Sequence, residues 1–242
     1  MDRVAIITGA GSGIGRATAI MLAKSGLRVV LCGRTIADLE KTATSCLGSS
    51  ICVAGDMRDP ATVSEALSNG CDVLINNAAI MPIAPAITAT FDDWQSTIET
   101  NVLALLRVTH AALPVMQSRG GGHIVNISSV AGRHPFPSAS VYSASKAAVD
   151  SFTSGLRAEL ASQIKKGGPP IRVTSIAPGA VQTNLTTSIM DQDTRVATEA
   201  YYESIDAPLQ SEDVARAVQF AVESPPHVCI SDITIRPTEM VR

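Results

Sequence analysis

Two kinds of segment alternate along the chain. Short β-branched runs at residues 4–7, 28–32, 51–53, 72–75, 123–127, 171–176 and 228–235 are nearly continuous apolar stretches. That pattern predicts strands covered on both faces, as in a parallel sheet. Between them, stretches of helical spacing occupy residues 14–25, 37–46, 60–68, 91–118, 140–166 and 212–223. Strand, helix, strand, repeated, predicts a three-layer α/β fold: a doubly wound, Rossmann-type sheet of about seven parallel strands with right-handed crossovers and helices on both faces. Boundary residues agree. Asp59 before Pro60, Thr90 before Phe91-Asp92-Asp93, and Ser211-Glu212-Asp213 are helix starts. Gly120-Gly121-Gly122 and Gly167-Gly168-Pro169-Pro170 end the two long helices. No repeat, low-complexity tract or linker divides the chain, so one domain over 1–242 is expected.

Composition narrows the function classes. Of 242 residues, 45% are hydrophobic and only 3% aromatic, so small aliphatic side chains must fill the core. Nineteen Lys and Arg against 22 Asp and Glu give a net charge of −3 with no basic block, which argues against nucleic-acid binding or an electrostatic membrane anchor. Cys32, Cys46, Cys52, Cys71 and Cys229 form neither a CxxC pair nor a regular spacing. They read as reduced thiols in a cytoplasmic protein, with no metal site. No stretch is long enough to span a bilayer and no signal peptide is expected.

The first candidate site follows the first strand: Thr8-Gly9-Ala10-Gly11-Ser12-Gly13-Ile14-Gly15 leads into the first helix. Glycines let the backbone turn sharply and approach a ligand, and a helix N-terminus offers free N–H groups and positive potential to a pyrophosphate. A glycine-rich turn alone is weak evidence, but here it stands between the first strand and first helix, as dinucleotide binding requires. The second strand selects the dinucleotide. It ends Leu31-Cys32-Gly33-Arg34, without the acidic residue that holds the ribose 2′-hydroxyl of NAD. Arg34 suits a 2′-phosphate, so NADP (NADPH) is favoured, with NAD the alternative.

The second candidate site lies after the fifth strand, which ends in Ser128-Ser129. Tyr142 and Lys146 fall one turn apart on the long helix that follows. A phenol ordinarily titrates near 10. Bringing it within reach of neutral pH takes roughly 3–4 kcal/mol, which a neighbouring ammonium and an oxidised nicotinamide would supply. Tyr142 as proton donor, Lys146 lowering its pKa and a serine positioning the carbonyl suit hydride transfer between an alcohol and a ketone or aldehyde.

At this point the chain resembles the short-chain dehydrogenase/reductase family over essentially its whole length. The matching pieces are Thr8-Gly9-x-x-x-Gly13-Ile14-Gly15, Asn76-Asn77-Ala78-Ala79, Asn101, Ile127-Ser128-Ser129, Tyr142-x-x-x-Lys146 and Pro178-Gly179. The resemblance implies a catalytic set of Asn101, Ser129, Tyr142 and Lys146, selects Ser129 over Ser128, and gives Asn101 a water that feeds protons to Lys146. It also implies cofactor contacts from Gly9, Ser12, Gly13, Ile14 and Gly15, from Arg34, and from Asp56 and Met57 beside the adenine. Asn77 and Ala78 would lie at the ribose, with Tyr142, Lys146, Pro178, Gly179, Val181 and Thr183 at the nicotinamide end. A homodimer or homotetramer through the two long helices is implied as well. Two departures stand out: Ala79 replaces a usual glycine, and the chain ends Ile233-Thr234-Ile235-Arg236-Pro237-Thr238 rather than in a glycine-rich tail. That ending resembles the branch of NADP-dependent 3-hydroxy acid and clavaldehyde-type dehydrogenases.

Substrate is expected between Arg133-His134-Pro135-Phe136-Pro137 and residues 184–206, a polar, weakly periodic lid segment with Met190, Tyr201 and Tyr202 facing the pocket. Arg133 is a candidate partner for a carboxylate. The rival readings are a non-catalytic dinucleotide sensor, which would typically lack Tyr142 or Lys146, and a sugar-nucleotide epimerase, for which 242 residues leave little room.

Overall fold

In the computed structural model, which describes residues 3–240 except Gly48, seven parallel strands form one sheet in the order β3-β2-β1-β4-β5-β6-β7. They are β1 (Val4–Thr8), β2 (Arg28–Gly33), β3 (Ser50–Ala54), β4 (Val73–Asn76), β5 (Gly122–Ile127), β6 (Ile171–Pro178) and β7 (Asp232–Ile235). The helices are α1 (Gly13–Lys24), α2 (Ile36–Ser45), α3 (Pro60–Leu67), α4 (Phe91–Ile98), α5 (Ala104–Ser118), α6 (Ser140–Lys165), α7 (Gln192–Glu203) and α8 (Ser211–Glu223).

Successive strand residues point to opposite faces, and that alternation builds two cores. Ala5, Ile7, Val29, Leu31, Val125 and Ile127 pack against α1, α2 and α8. Val4, Ile6, Val30, Leu74, Ile124 and Val173 pack against α3, α5 and α6. Strand order runs outward from β1 to β3, then returns to β4 and continues the other way. A crevice therefore opens at the carboxyl ends of β1 and β4, where such sheets bind ligands. The opposite end is tied by Asp72, whose Oδ2 accepts from Val4 N at 2.7 Å while Arg119 Nε and Nη2 donate to its two oxygens at 2.8 and 2.7 Å.

Three stretches differ from the expected elements. The final strand is only Asp232–Ile235, because side chains of β6 take the carbonyls before it: Thr174 Oγ1 donates to Ile230 O at 2.6 Å and Arg172 Nη1 to Val228 O at 2.8 Å. The expected helix over 91–118 is interrupted by a π-helical segment, Glu99–Leu103, in which Ala104 N–H donates to Glu99 O five residues back. Residues 184–206 contain a 3₁₀ turn, Asn184–Ser188, and the helix α7, capped by Asp191, whose Oδ1 accepts from Thr194 N at 2.8 Å.

His123 on β5 is fully buried, with Nε2 2.8 Å from Thr174 Oγ1. The Thr174 proton goes to Ile230 O, so Nε2 carries the hydrogen and Nδ1 is left without a partner. Burial, with Arg172 and Arg3 nearby, pushes the imidazole down to about 3. The unfolded chain therefore takes up a proton first as pH falls. Stability contributed by neutral His123 is present above about pH 6.5 and is lost toward pH 3, at up to about 1.4 kcal/mol per pH unit. Urea unfolding across pH 4–8 should show this acid limb, with a shallower slope for His123→Gln. Parallel limbs would remove His123 as the cause.

Candidate active site

The turn after β1 is held to β4 from below. Thr8 Oγ1 accepts from Asn77 N and Ala78 N, both at 3.0 Å, and Asn77 Nδ2 donates to Thr8 O at 3.0 Å. Gly13 has φ +52°, a conformation that L side chains rarely adopt. A Cβ on Gly15 would lie 2.2 Å from Gly9 O and 2.6 Å from Asn77 Nδ2, so only glycine fits there. Ser12 caps α1 without a side-chain hydrogen bond, and the first turn contains no acid. The opening N–H groups of α1 thus face the crevice without a side-chain partner, with the dipole favouring an anion.

That crevice is a cleft of about 1320 Å³. Gly9, Ser12, Gly13 and Ile14 line one end with Arg34, Asp56 and Met57; Asn77 and Ala78 line its middle. Ser129, Tyr142, Lys146, Pro178, Gly179, Val181 and Thr183 line it beyond. Two expected contacts do not line it. Gly15 sits behind the turn, where its close approach to Gly9 shapes the loop rather than the cleft wall. Asn101 is buried in the π-helical segment, and its neighbours Thr100 and Ala104 reach the cleft instead. Asn77 lines the cleft, but its amide is committed to Thr8 and Gly9.

The end near β2 is charged. Arg34 is exposed and forms no ion pair or side-chain hydrogen bond among the described residues. Asp38, at the start of α2, lines the same end and pairs with Lys41 Nζ at 3.2 Å. The sequence reading missed this acid, which stands four residues beyond Arg34. Hydrogen bonds from the Arg58 guanidinium hold the Asp56 carboxyl below the usual carboxylate range, with Arg34 contributing charge. Unclaimed helix N–H groups, a glycine cradle and an unpaired guanidinium along one cleft fit an elongated dinucleotide. Among the described residues no group of three or more His, Cys, Asp or Glu could hold a metal ion.

At the other end, Tyr142 and Lys146 lie one turn apart on α6, with Nζ 5.9 Å from the Tyr142 ring centroid. Nζ donates to Ile127 O at 2.9 Å, at the end of β5. Ser129 follows that strand and lines the cleft, its Oγ accepting from Ala131 N at 3.1 Å. Ser128 lines the cleft as well, but its hydroxyl donates to Lys146 O at 3.3 Å. Asn101 Oδ1 accepts from Ile80 N at 2.9 Å, while Nδ2 donates to Ile80 O at 2.9 Å and to Ser145 Oγ at 3.1 Å. Ser145 Oγ donates to Tyr142 O at 2.7 Å.

These contacts alter two expectations. The Asn101 side chain is engaged by Ile80 and Ser145, so it steadies Ile80 and, through Ser145, the backbone of Tyr142. Desolvation is the largest influence on the Tyr142 phenol, ahead of any neighbouring group. Burial pushes the phenol well above its ordinary range, opposed by a hydrogen bond with Ser129. Burial also pulls Lys146 down to about 8, against the attraction of Asp150. Both groups leave water together, and desolvation is the largest influence on each.

At the substrate end the lining includes His134 and Phe136, Met81 and Ile83, and Thr194, Thr198, Tyr201 and Tyr202 of α7. Met190 is 79% exposed and does not line the cleft. Met81 and Ile83 were missed; the apolar Ile80-Met81-Pro82-Ile83 stretch after β4 was their only signal.

Comparisons with known proteins agree with this architecture. A family model described as short chain dehydrogenase matches residues 3–194. The chain is 37% identical to an uncharacterized oxidoreductase of Staphylococcus aureus (strain USA300), covering 98% of this chain and 97% of the other. It is 38% identical to dehydrogenase/reductase SDR family member 11 of Gallus gallus, covering 99% and 97%. A structure of the closed form of serine dehydrogenase complexed with NADP+ superposes with a TM-score of 0.89 at 31% identity, covering 99% of this chain and 96% of that one. Family match, relatives and sheet together place the chain in the short-chain dehydrogenase/reductase family, NAD(P)-binding oxidoreductases that act on alcohols and carbonyls.

Proposed function

We propose that this chain is an NADP-dependent oxidoreductase that interconverts a small-molecule alcohol and its ketone or aldehyde. The observation that carries the reading is that Ser129, Tyr142 and Lys146 line one cleft with the unclaimed N–H groups of α1. Gly9, Ser12, Gly13 and Ile14 would hold the pyrophosphate, Gly15 would shape their turn, and Arg34 would hold the 2′-phosphate. Asp56 and Met57 would border the adenine, Asn77 and Ala78 the ribose, and Pro178, Gly179, Val181 and Thr183 the nicotinamide. When bound, the dinucleotide supplies or accepts the hydride, and its oxidised ring adds positive charge beside Tyr142.

The chain's own groups handle the proton and the geometry. Tyr142 Oη gives its proton to the carbonyl oxygen on reduction and takes it back on oxidation. Ser129 Oγ donates to the same oxygen and fixes its position. Lys146, lowered to about 8 by burial, can exchange a proton near neutral pH and resupply the phenol. Asn101 holds the helix beneath Tyr142 through Ser145, and its segment is the place for a relay water. Residues 184–206 act as a lid over the substrate within a single domain of 1–242. The protein works in the cytoplasm as a homodimer or homotetramer through α5 and α6, its cysteines all free among the described residues. No described helix is long and apolar enough to cross a membrane. The NADP-bound neighbour and the C-terminal ending support the 3-hydroxy acid and clavaldehyde-type branch for scaffold and cofactor. Asp38 beside Arg34 favours NAD as the second reading.

Tyr142→Phe should abolish turnover, by at least about a thousandfold, while fluorescence titration shows NADPH binding unchanged. Near-normal rates would refute the assignment. Arg34→Glu should raise the NADPH dissociation constant by about tenfold or more and leave that for NADH nearly unchanged. Equal losses for both would favour the NAD reading.

A further inference from the structure

Resting on the hydride-transfer reading, we propose that the substrate is an uncharged carbonyl compound with an apolar body, and not an oxo acid, hydroxy acid or amino acid. The chamber is apolar where the reacting carbon must sit. Met81, Ile83 and Ala131, buried in one cluster with Tyr142, line it together with Leu185, which packs against that cluster. On α7, Tyr202 is half-buried over the cleft and meets Tyr201 edge to face, with ring centroids 5.9 Å apart. A carboxylate drawn into such a chamber loses its water and needs a free cation in exchange.

No described cation is available for that role. Arg34, Arg133 and Lys146 are the only Lys or Arg side chains among the described residues that line the cleft. Arg34 belongs to the far end, after β2. Lys146 is buried with Nζ on Ile127 O. Arg133, the carboxylate partner expected from the sequence, has every guanidinium nitrogen committed: Nε to Asp150 at 3.2 Å, Nη1 to Thr234 Oγ1 at 3.0 Å and Nη2 to Asp232 at 3.4 Å. Its acceptors are themselves anchored, Asp150 by Ser175 Oγ at 2.7 Å and Asp232 by Arg157 at 3.5 Å. The remaining ionisable residues at this end are Asp193, which repels an anion, and the exposed His134. The Thr194 hydroxyl offers a neutral hydrogen bond instead, while those of Ser188 and Thr198 already donate to Leu185 O and Thr194 O. The likeness to hydroxy-acid dehydrogenases therefore reaches the scaffold but not the chamber.

Matched neutral and anionic compounds test this. With saturating NADPH, kcat/KM is measured for ethyl 3-oxobutanoate against 3-oxobutanoate and for ethyl phenylglyoxylate against phenylglyoxylate. Thermal shifts of the NADP+-loaded protein are recorded with ethyl 3-hydroxybutanoate and with 3-hydroxybutanoate. The esters should exceed the acids by at least about tenfold, and only the neutral alcohol should raise Tm. Arg133→Ala should lower Tm yet leave the ester-to-acid ratio unchanged, as should His134→Ala. Equal or faster turnover of the acids, or acid turnover lost selectively in either variant, overturns the proposal. Stabilisation by the ester without turnover of any compound supports the neutral chamber and removes the hydride-transfer reading. The absence of both turnover and stabilisation with every ester overturns the proposal.

Discussion

The closeness of β1 to β4 at their carboxyl ends is the constraint on which the site rests. Thr8 and Asn77 hold the two strand ends together, and the glycine turn must pass through the space left above them. That space admits no Cβ at residue 15. With it fixed, the N-terminus of α1 has one direction to point, across the crevice created where the strand order reverses. The neighbouring strand then delivers Ser129 to the same crevice, and α6 brings Tyr142 and Lys146 back over it.

Much of this architecture was legible in the sequence because it depends on local signals. β-branched runs marked six strands nearly in full, Pro60 and the Thr90 cap marked helix starts, and a spacing of four put Tyr142 above Lys146. What stayed hidden depends on partners distant in the chain. Arg133 looked like a free cation, yet its carboxylates stand 17 and 99 residues away. The last strand was read four residues too long because Thr174 and Arg172 claim the carbonyls preceding it. α7 went unread because it buries no side chain fully, so no apolar stripe announced it. Asn101 needed the family resemblance, since a lone asparagine in a helix has many ordinary roles.

Desolvation dominates the electrostatics of the catalytic end. Tyr142 and Lys146 are both among the buried side chains, and each is driven toward its neutral form. Tyr142 stays neutral, while Lys146, at about 8, still carries its proton for most of the time at pH 7, with Nζ held on Ile127 O. The charged end, with Arg34, Asp38, Asp56 and Arg58, is separated along the cleft, so binding and chemistry draw on different parts of the same wall.

The π-helical segment Glu99–Leu103 carries a consequence for the lineage of this chain. Each residue advances an α-helix by about 100°. Removing one residue there would relax the wide turn, and the helix after it would swing round by that angle. Val108, Ala112 and Met116 would rotate off the sheet, or the Asn101 amide would leave Ile80. The length of this connection is therefore locked from both sides, and descendants can exchange its side chains far more easily than they can gain or lose one.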